Sequence, residues 1–404
     1  MRAVLIATGL VALTVLMACP GGREPGGGPQ LPTLELPSAT VGQPYEAYLT
    51  ASGGVAPLRY SVSEVPPGFS FDADSALLKG TATAVGRFTL NVSVTDAQEA
   101  KDSRAYTLEV RGGGGGSDGG VPDAGVGFPL QVGNWNIEWF GDTGTGRGPT
   151  DENLQLQNVR TVISGADADF WGLQEVVNVN HFNTLKQGLT GYDGFVANDP
   201  RVTSGSNYYG FAEQKVAVLY KTSVVQVLSA QVILGANSFD FGTRPPLRLN
   251  LRVTRDGTSV DMVAIVLHMK AETTQADYDR RQAAAAALQQ YIDTNLSTAR
   301  VMVLGDWNDD VDMSITSGQP TPYQNFLNAP SEYTFLTRTL SQSMGSQVRF
   351  PTFVDHQLVT NELAQSHVAN SSRVLRPSIA NYGDTTSDHY PVLSRFDLSK
   401  SSAP

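Results

Sequence analysis

A run of sixteen residues, GGGGGSDGGVPDAGVG at positions 112–127, decides how this chain can fold. Glycine-rich segments with interspersed proline bury too little apolar surface to offset the entropy lost on ordering. One core cannot run through such a stretch, so the chain must fold as separate pieces on either side of it. A second tract of the same kind, PGGREPGGGPQ at 20–30, uncouples the next piece from the N-terminus. Between the tracts lie residues 31–111, about one small domain, and beyond them residues 128–400, long enough for a substantial core.

The first residues read as an address. Met1-Arg2 supplies a positive start, Ala3 to Val15 an apolar core, and Leu16-Met17-Ala18-Cys19 a small-residue cleavage site. The apolar core is shorter than the roughly 20 residues a spanning helix needs. Its end resembles the lipobox after which lipoprotein signal peptidase cleaves. Cys19 is the only cysteine, so it has neither a disulfide partner nor metal-ligand companions. The expectation is a signal peptide at 1–18, a lipidated Cys19 and a flexible tether at 19–30. The protein would then sit in a bacterial cell envelope, lipid-anchored and facing the periplasm or the exterior, with the membrane as its partner and no obligate protein partner.

Residues 31–111 read as all-β. Short alternating runs at Tyr45 to Ala51, Leu58 to Val62 and Phe88 to Asp96 are separated by Gly/Pro turns. The segments Gly42-Gln43-Pro44-Tyr45, Pro66-Pro67-Gly68, Gly80-Thr81 and Gly86-Arg87-Phe88-Thr89 resemble the immunoglobulin-like, cadherin-like repeats of bacterial surface proteins. A small β-sandwich is expected, with a spacer as its simplest role.

The long C-terminal piece carries the chemistry. An apolar strand ends in a metal- or proton-competent side chain six times over. Gln131 to Phe140 holds Asn136 and Glu138, which share a face if the strand is regular. A helix over 151–164, with Leu154, Val159, Val162 and Ile163 on one face, leads to Asp169 to Glu175. A strand at Ser259 to Leu267 ends in His268 and Lys270, and a Gln/Ala-rich helix at Ala276 to Leu296 precedes the run Ala299 to Asp309. Phe353 to His356 and Ser387 to His389 complete the series. Strands that converge in this way place ligand-binding groups at one rim. Three of the five histidines, His268, His356 and His389, fall at such ends. Charge argues against a generally basic surface: residues 128–404 hold 27 acidic and 20 basic residues, net -7. Several of the acids stand where a cation would offset them.

In order, WN136xE138, LQE175, LH268, GDWN308, VDH356 and SDH389 resemble the endonuclease/exonuclease/phosphatase superfamily. The resemblance covers about 270 residues and implies an α/β fold, a four-layer α-β-β-α sandwich with two mixed sheets. It implies Mg²⁺ (or Mn²⁺) held by Glu175, with Asn136, Glu138 and Asp388 as direct or water-mediated partners. Asp306 and Asn308 would orient the attacking water and the phosphate, and Asp355 would fix the tautomer of His389. His268 would be the second histidine at the phosphate, which of the two is acid or base being open. Lys215 and Arg244, on strands of nuclease type, would meet substrate phosphates, with Arg280 and Arg281 as further candidates. Two departures limit the substrate: His356 stands where deoxyribonuclease I and the inositol 5-phosphatases have arginine, and Glu138 where apurinic endonucleases usually have aspartate. No run of exposed aromatics like the membrane-inserting hairpin of bacterial sphingomyelinases is evident. A non-specific nuclease with nucleic acid as its partner is favoured; a phospholipid or small-molecule phosphoesterase comes next, and a non-catalytic adhesin last.

Overall fold

The computed structural model describes residues 28–111 and 127–400, apart from 32–35, 37–38, 42–43, 52, 85 and 145. The chain divides between residues 115 and 116 into two compact units. The expected signal peptide, Cys19, most of the 19–30 tether and nearly all of the 112–127 linker lie outside the described residues. Among the described residues no helix is long and apolar enough to cross a membrane.

The first unit is all-β: β1 (Ala39–Thr40), β2 (Pro44–Tyr48), β3 (Arg59–Val62), β4 (Phe69–Asp72), β5 (Leu77–Thr81), β6 (Gly86–Thr95) and β7 (Lys101–Arg111). They form a sheet ordered β1-β7-β6-β3 and a second ordered β2-β5-β4. In β6, Leu90, Val92 and Val94 are buried while Asn91 and Ser93 between them are not. That alternation lets one face join Leu78 and Tyr45 of the other sheet in a single core. The Pro-Pro-Gly turn has a steric reason. Gly68 sits at φ 91° and accepts a hydrogen bond from Thr81 N at 2.9 Å. A Cβ there would lie 2.0 Å from the Thr81 carbonyl oxygen.

The second unit stacks two sheets. One is ordered β10-β12-β9-β8-β20-β19, from β8 (Pro129–Phe140), β9 (Phe170–Val176), β10 (Tyr192–Val196), β12 (Lys215–Lys221), β19 (Arg373–Val374) and β20 (Val392–Asp397). The other is ordered β11-β13-β14-β15-β16-β18-β17. Its strands are β11 (Val202–Thr203), β13 (Val225–Val232), β14 (Leu247–Arg255), β15 (Thr258–His268), β16 (Val301–Asp306), β17 (Tyr333–Phe335) and β18 (Asp355–Thr360). Each mixes parallel and antiparallel pairs: β8 runs parallel to β9 but antiparallel to β20, and β15 parallel to β16 but antiparallel to β14.

The inner faces bury Val132, Phe170 and Val218 against Leu249, Val266 and Leu304. Helices Glu152–Ala166 and Val179–Gln187 cover the outer face of the first sheet, and helix Gln275–Asn295 that of the second. The result is the expected α-β-β-α sandwich. Two buried amides tie the sheets together: Asn134 Nδ2 donates to the Gly305 carbonyl at 3.0 Å, and Gln357 Nε2 to that of Val392 at 2.9 Å. Each satisfies a group that would otherwise be stranded in an apolar layer.

Asp151 caps the first helix by accepting from Asn153 N and Leu154 N. The expected apolar face needs one correction. Leu154 is exposed, and the helix instead buries Gln155 and Leu156 with Val159, Val162 and Ile163.

Candidate active site

The parallel and antiparallel register brings the polar strand ends to one edge of both sheets. His268 pairs with Asp306, and Asp306 with Asp355, across β15, β16 and β18. The first sheet brings Asn136 opposite Gln174, next to Glu175, while Asp388 and His389 lead into β20.

The strands do not simply stop there. Glu138 (φ 41°), Trp139 (48°), Glu175 (63°) and Asn308 (51°) all adopt left-handed backbone, which costs a non-glycine residue about 1–2 kcal/mol. Such conformations persist where the surroundings over-determine them, as at functional sites. They also correct the reading that Asn136 and Glu138 share a face of a regular strand. The register of β8 breaks between Asn136 and Phe140, and Glu138 reaches Asp388, its Oε2 accepting from Asp388 N at 2.9 Å.

At the centre, Asn136 Nδ2 donates to Glu175 Oε1 (3.0 Å) and to Asp306 Oδ2 (2.9 Å). Its Oδ1 accepts from Glu138 N at 3.0 Å, which fixes the orientation of the amide. Asn136 therefore presents hydrogens to the carboxylates. It positions them, and its Oδ1 keeps one lone pair beyond the bond from Glu138 N. Glu175 Oε2 accepts from Trp139 N at 3.0 Å. His268 Nε2 lies 3.8 Å from Glu175 Oε1 and 3.5 Å from Asp306 Oδ2. Burial, with Arg244 and His389 nearby, holds the His268 imidazole well below its usual pKa, hence neutral.

His389 is its opposite. Nδ1 meets Asp355 Oδ2 at 2.7 Å, while Nε2 faces Asp306 Oδ2 at 3.9 Å and Asp388 Oδ1 at 3.8 Å. Burial disfavours its charge, yet Asp355, Asp388 and Asp306 together hold the imidazole well above its usual range. Burial and the charge of Asp355 raise Asp306 to about 7. Glu138 rises to about 7 through burial and the charges of Asp388 and Glu175, and burial holds Glu175 above the usual carboxylate range. Asn308 is held by its backbone N–H to Asp306 Oδ1 (2.9 Å) and by Nδ2 to the Met269 carbonyl (3.2 Å).

Of the two expected phosphate contacts, Arg244 lies among the site's carboxylates, whereas Lys215 is committed elsewhere. Arg244 donates to the Met269 carbonyl at 3.0 Å and to Gln214 Oε1. Its Nε is buried with no partner, and its charge acts on Glu175 and Asp306. Lys215 is fully buried, and its ammonium donates to the carbonyls of Val177 (2.8 Å), Phe211 (2.8 Å) and Glu213 (2.9 Å). Three donors on three acceptors leave nothing for a phosphate. Arg281 is also fully buried, paired with Asp309 at 2.8 Å. His356 turns inward along β18, opposite in sense to Asp355: its Nδ1 meets Thr337 Oγ1 at 2.9 Å and its ring packs on Phe353 and Phe335. Burial takes it down to about 3.

Several supporting residues escaped sequence reasoning. Gln155 Nε2 donates to the carbonyls of Ile137, Glu138 and Thr386, so it holds the kink that turns Glu138. Trp135 Nε1 and the Tyr382 hydroxyl both donate to the His389 carbonyl, at 3.0 and 2.7 Å. Ser387 Oγ donates to the Asn136 carbonyl at 2.7 Å and accepts from His389 N at 3.0 Å. For Gln155 a signal existed: an amide in register with the buried helical positions.

The donor set suits a hard divalent cation. Glu175, His268 and Asp306 have ligand atoms within 4.8 Å of one another, as do Asp306, Asp355 and His389. Glu138 and Asp388 are neighbouring carboxylates outside both groups, and among the described residues neither group includes a cysteine. Sites rich in carboxylate oxygen favour hard divalent cations over soft metals. The raised carboxylates Glu138, Glu175 and Asp306 are those a cation would favour in ionised form.

A model of the Endonuclease/Exonuclease/phosphatase family matches residues 133–389, and the Ig domain model He_PIG matches residues 29–111. No curated protein matches the chain. Among solved structures, a humanized D. rerio TDP2 is similar at 15% identity, covering 66% of this chain and 98% of its own, with a TM-score of 0.48. The human Nocturnin catalytic domain, solved with a bound sulfate anion, has 19% identity, coverage of 66% and 94%, and a TM-score of 0.47. A mannosyl-6-phosphatase of Bacteroides thetaiotaomicron VPI-5482 has 15% identity, coverage of 66% and 98%, and a TM-score of 0.45.

Proposed function

Because the chain belongs to the endonuclease/exonuclease/phosphatase family, whose members are phosphoester hydrolases that use divalent metal ions, we propose that it is a Mg²⁺-dependent phosphodiesterase that cleaves nucleic acid. The observation that carries the catalytic part is the geometry of two buried histidines: His389 pairs through Nδ1 with Asp355 at 2.7 Å, and its Nε2 and that of His268 both face Asp306 Oδ2, at 3.9 and 3.5 Å.

Glu175, Glu138 and Asp388 would hold the metal, with Asn136 fixing the rotamer of Glu175. When bound, the metal supplies Lewis-acid stabilisation of phosphate charge. Asp306, with its raised proton affinity, is placed to orient a water and take its proton at Oδ2. Asn308 and Arg244 present donors beside it, and in-line attack requires the water within about 3–3.5 Å of phosphorus. Asp355 holds Nδ1–H of His389, so Nε2–H is left to donate to a phosphate oxygen. The nucleic-acid part draws on Arg244, whose Nε is buried without a partner and whose charge acts on Glu175 and Asp306. The lipid anchor at Cys19 and an envelope location belong to the same proposal.

The test is a substrate panel with the purified protein and Mg²⁺: plasmid, RNA, sphingomyelin, inositol phosphates and a chromogenic diester. Hydrolysis of plasmid or RNA that chelator abolishes and Mg²⁺ restores is expected. If nucleic acid stays intact while sphingomyelin or an inositol phosphate is hydrolysed, the phospholipid or small-molecule reading takes its place.

A further inference from the structure

Phe239 leaves 66% of its surface exposed, yet it is not a loose side chain. It stands on the loop between β13 and β14, the loop that also carries Arg244. Two positions on, Phe241 is fully buried and fixes the loop from beneath. Backbone bonds from Thr243 N to the Ser238 carbonyl (2.7 Å) and from Gly242 N to that of Phe239 (3.1 Å) close it. Arg280, on helix Gln275–Asn295, sets its guanidinium 4.1 Å from the Phe239 ring centroid and donates through Nε to the Phe239 carbonyl at 3.0 Å. One side of the ring is thus backed by a cation, and the ring is held out into water.

The loop that carries it reaches the reaction centre through Arg244, five residues on, which donates to the carbonyl of Met269, the residue after His268. A second such pair follows Glu138 in the sequence: Arg147 lies 5.1 Å from the ring centroid of Trp139.

We propose that Phe239, backed by Arg280, is the stacking platform for an unpaired base of the substrate strand, and that the enzyme therefore prefers single-stranded to duplex nucleic acid. This rests on the nucleic-acid reading above. A flat apolar ring with a guanidinium against it matches the two faces of a nucleotide, a π-surface and a nearby phosphate. In a duplex the π-faces are already covered by neighbouring bases, so the platform has nothing to take. Arg280 fixes both the face of the ring and the carbonyl of the same residue, which suits a rigid stacking surface; insertion into a membrane is the competing outcome that the vesicle measurement below tests.

The experiment is a cycle of two changes in the full-length protein with Mg²⁺: Phe239→Ala, and removal of one base from a single-stranded oligonucleotide to leave an abasic nucleotide at each position in turn. Because one stacked base is worth about 1–3 kcal/mol, Phe239→Ala should raise KM on the intact single strand by roughly five- to a hundredfold. At one position the abasic substrate should raise KM to a similar extent in wild type and hardly at all in Phe239→Ala. Phe239→Trp should keep the wild-type KM. The proposal is overturned if the two changes add at every position, if duplex is the better substrate for wild type, or if Phe239→Ala lowers binding to phosphatidylcholine/phosphatidylglycerol vesicles and leaves oligonucleotide kinetics untouched. If wild type cleaves no oligonucleotide and no plasmid, the nucleic-acid reading itself has failed, and the platform with it.

Discussion

Lys215→Met separates two roles that look alike on paper. The change keeps the stem and removes an ammonium that donates to the carbonyls of Val177, Phe211 and Glu213. Hydrogen bonds to a charged group contribute about 1.5–3 kcal/mol each, but the full sum is not lost. The Phe211 and Glu213 carbonyls are only partly buried, so water can replace the donor there. Desolvation of the ammonium, which pulls Lys215 down to about 8, also disappears with it. The Val177 acceptor lies in the buried part of the site, and stranding it costs about 1–3 kcal/mol. A net loss of about 3 kcal/mol is expected, lowering the unfolding temperature of the catalytic unit by roughly 6–12 °C. Calorimetry together with KM at several salt concentrations gives the reading: a lower transition, with KM and its salt slope near wild type. An unchanged transition with a raised KM and a slope shallower by about one phosphate contact would refute the structural role and restore Lys215 as a substrate ligand.

Asp306→Asn should cut kcat by roughly a hundred- to ten-thousandfold while the unfolding temperature holds or rises, since a buried carboxylate with a raised pKa is removed; parallel losses of activity and stability would count against its chemical role. Asp193→Asn should flatten the acid limb of the stability curve. Burial opposes ionisation of Asp193, but the Gly194 backbone, Lys186 and the Tyr220 hydroxyl outweigh it and hold the carboxyl at about 2. Its stabilisation is therefore present above about pH 4, the usual unfolded value, and is lost as pH falls toward 2; an identical acid limb in variant and wild type by circular dichroism would contradict this. Cys19→Ala should abolish partitioning into detergent, and a wild-type protein that fractionates as soluble without detergent would rule out the lipid anchor.

Much of this site could be read from the sequence because its residues sit where strands end. Gly305-Asp306-Trp307-Asn308 and Ser387-Asp388-His389 couple an apolar run to a polar break, a pattern that survives in one dimension. What failed depended on which way a side chain turns. Lys215 and Arg244 look equivalent as basic residues on strands, yet a loop returning over Val177 supplies carbonyls to one and leaves the Nε of the other unpartnered. His356 shares a strand end with Asp355 in the sequence, yet strand alternation sends the two to opposite faces. The kink at Glu138 and Trp139 has no marker such as glycine. It is imposed from outside, by Gln155 on a helix and by Asp388 N.

The two sheets each own part of the chemistry: Glu175, Asp388 and His389 belong to the first, His268, Asp306 and Asp355 to the second. The reaction centre is therefore a seam, and its geometry is only as good as the alignment of two slabs whose main bond is a non-directional apolar layer. Asn134 and Gln357 act as dowels across that layer. A slip of about one ångström would separate partners that must act together, at a cost of about a hundredfold in rate, while leaving each slab's own ladder intact. On heating, turnover should fade at a lower temperature than the far-ultraviolet signal of the strands, and cutting a dowel with Gln357→Leu should widen that gap.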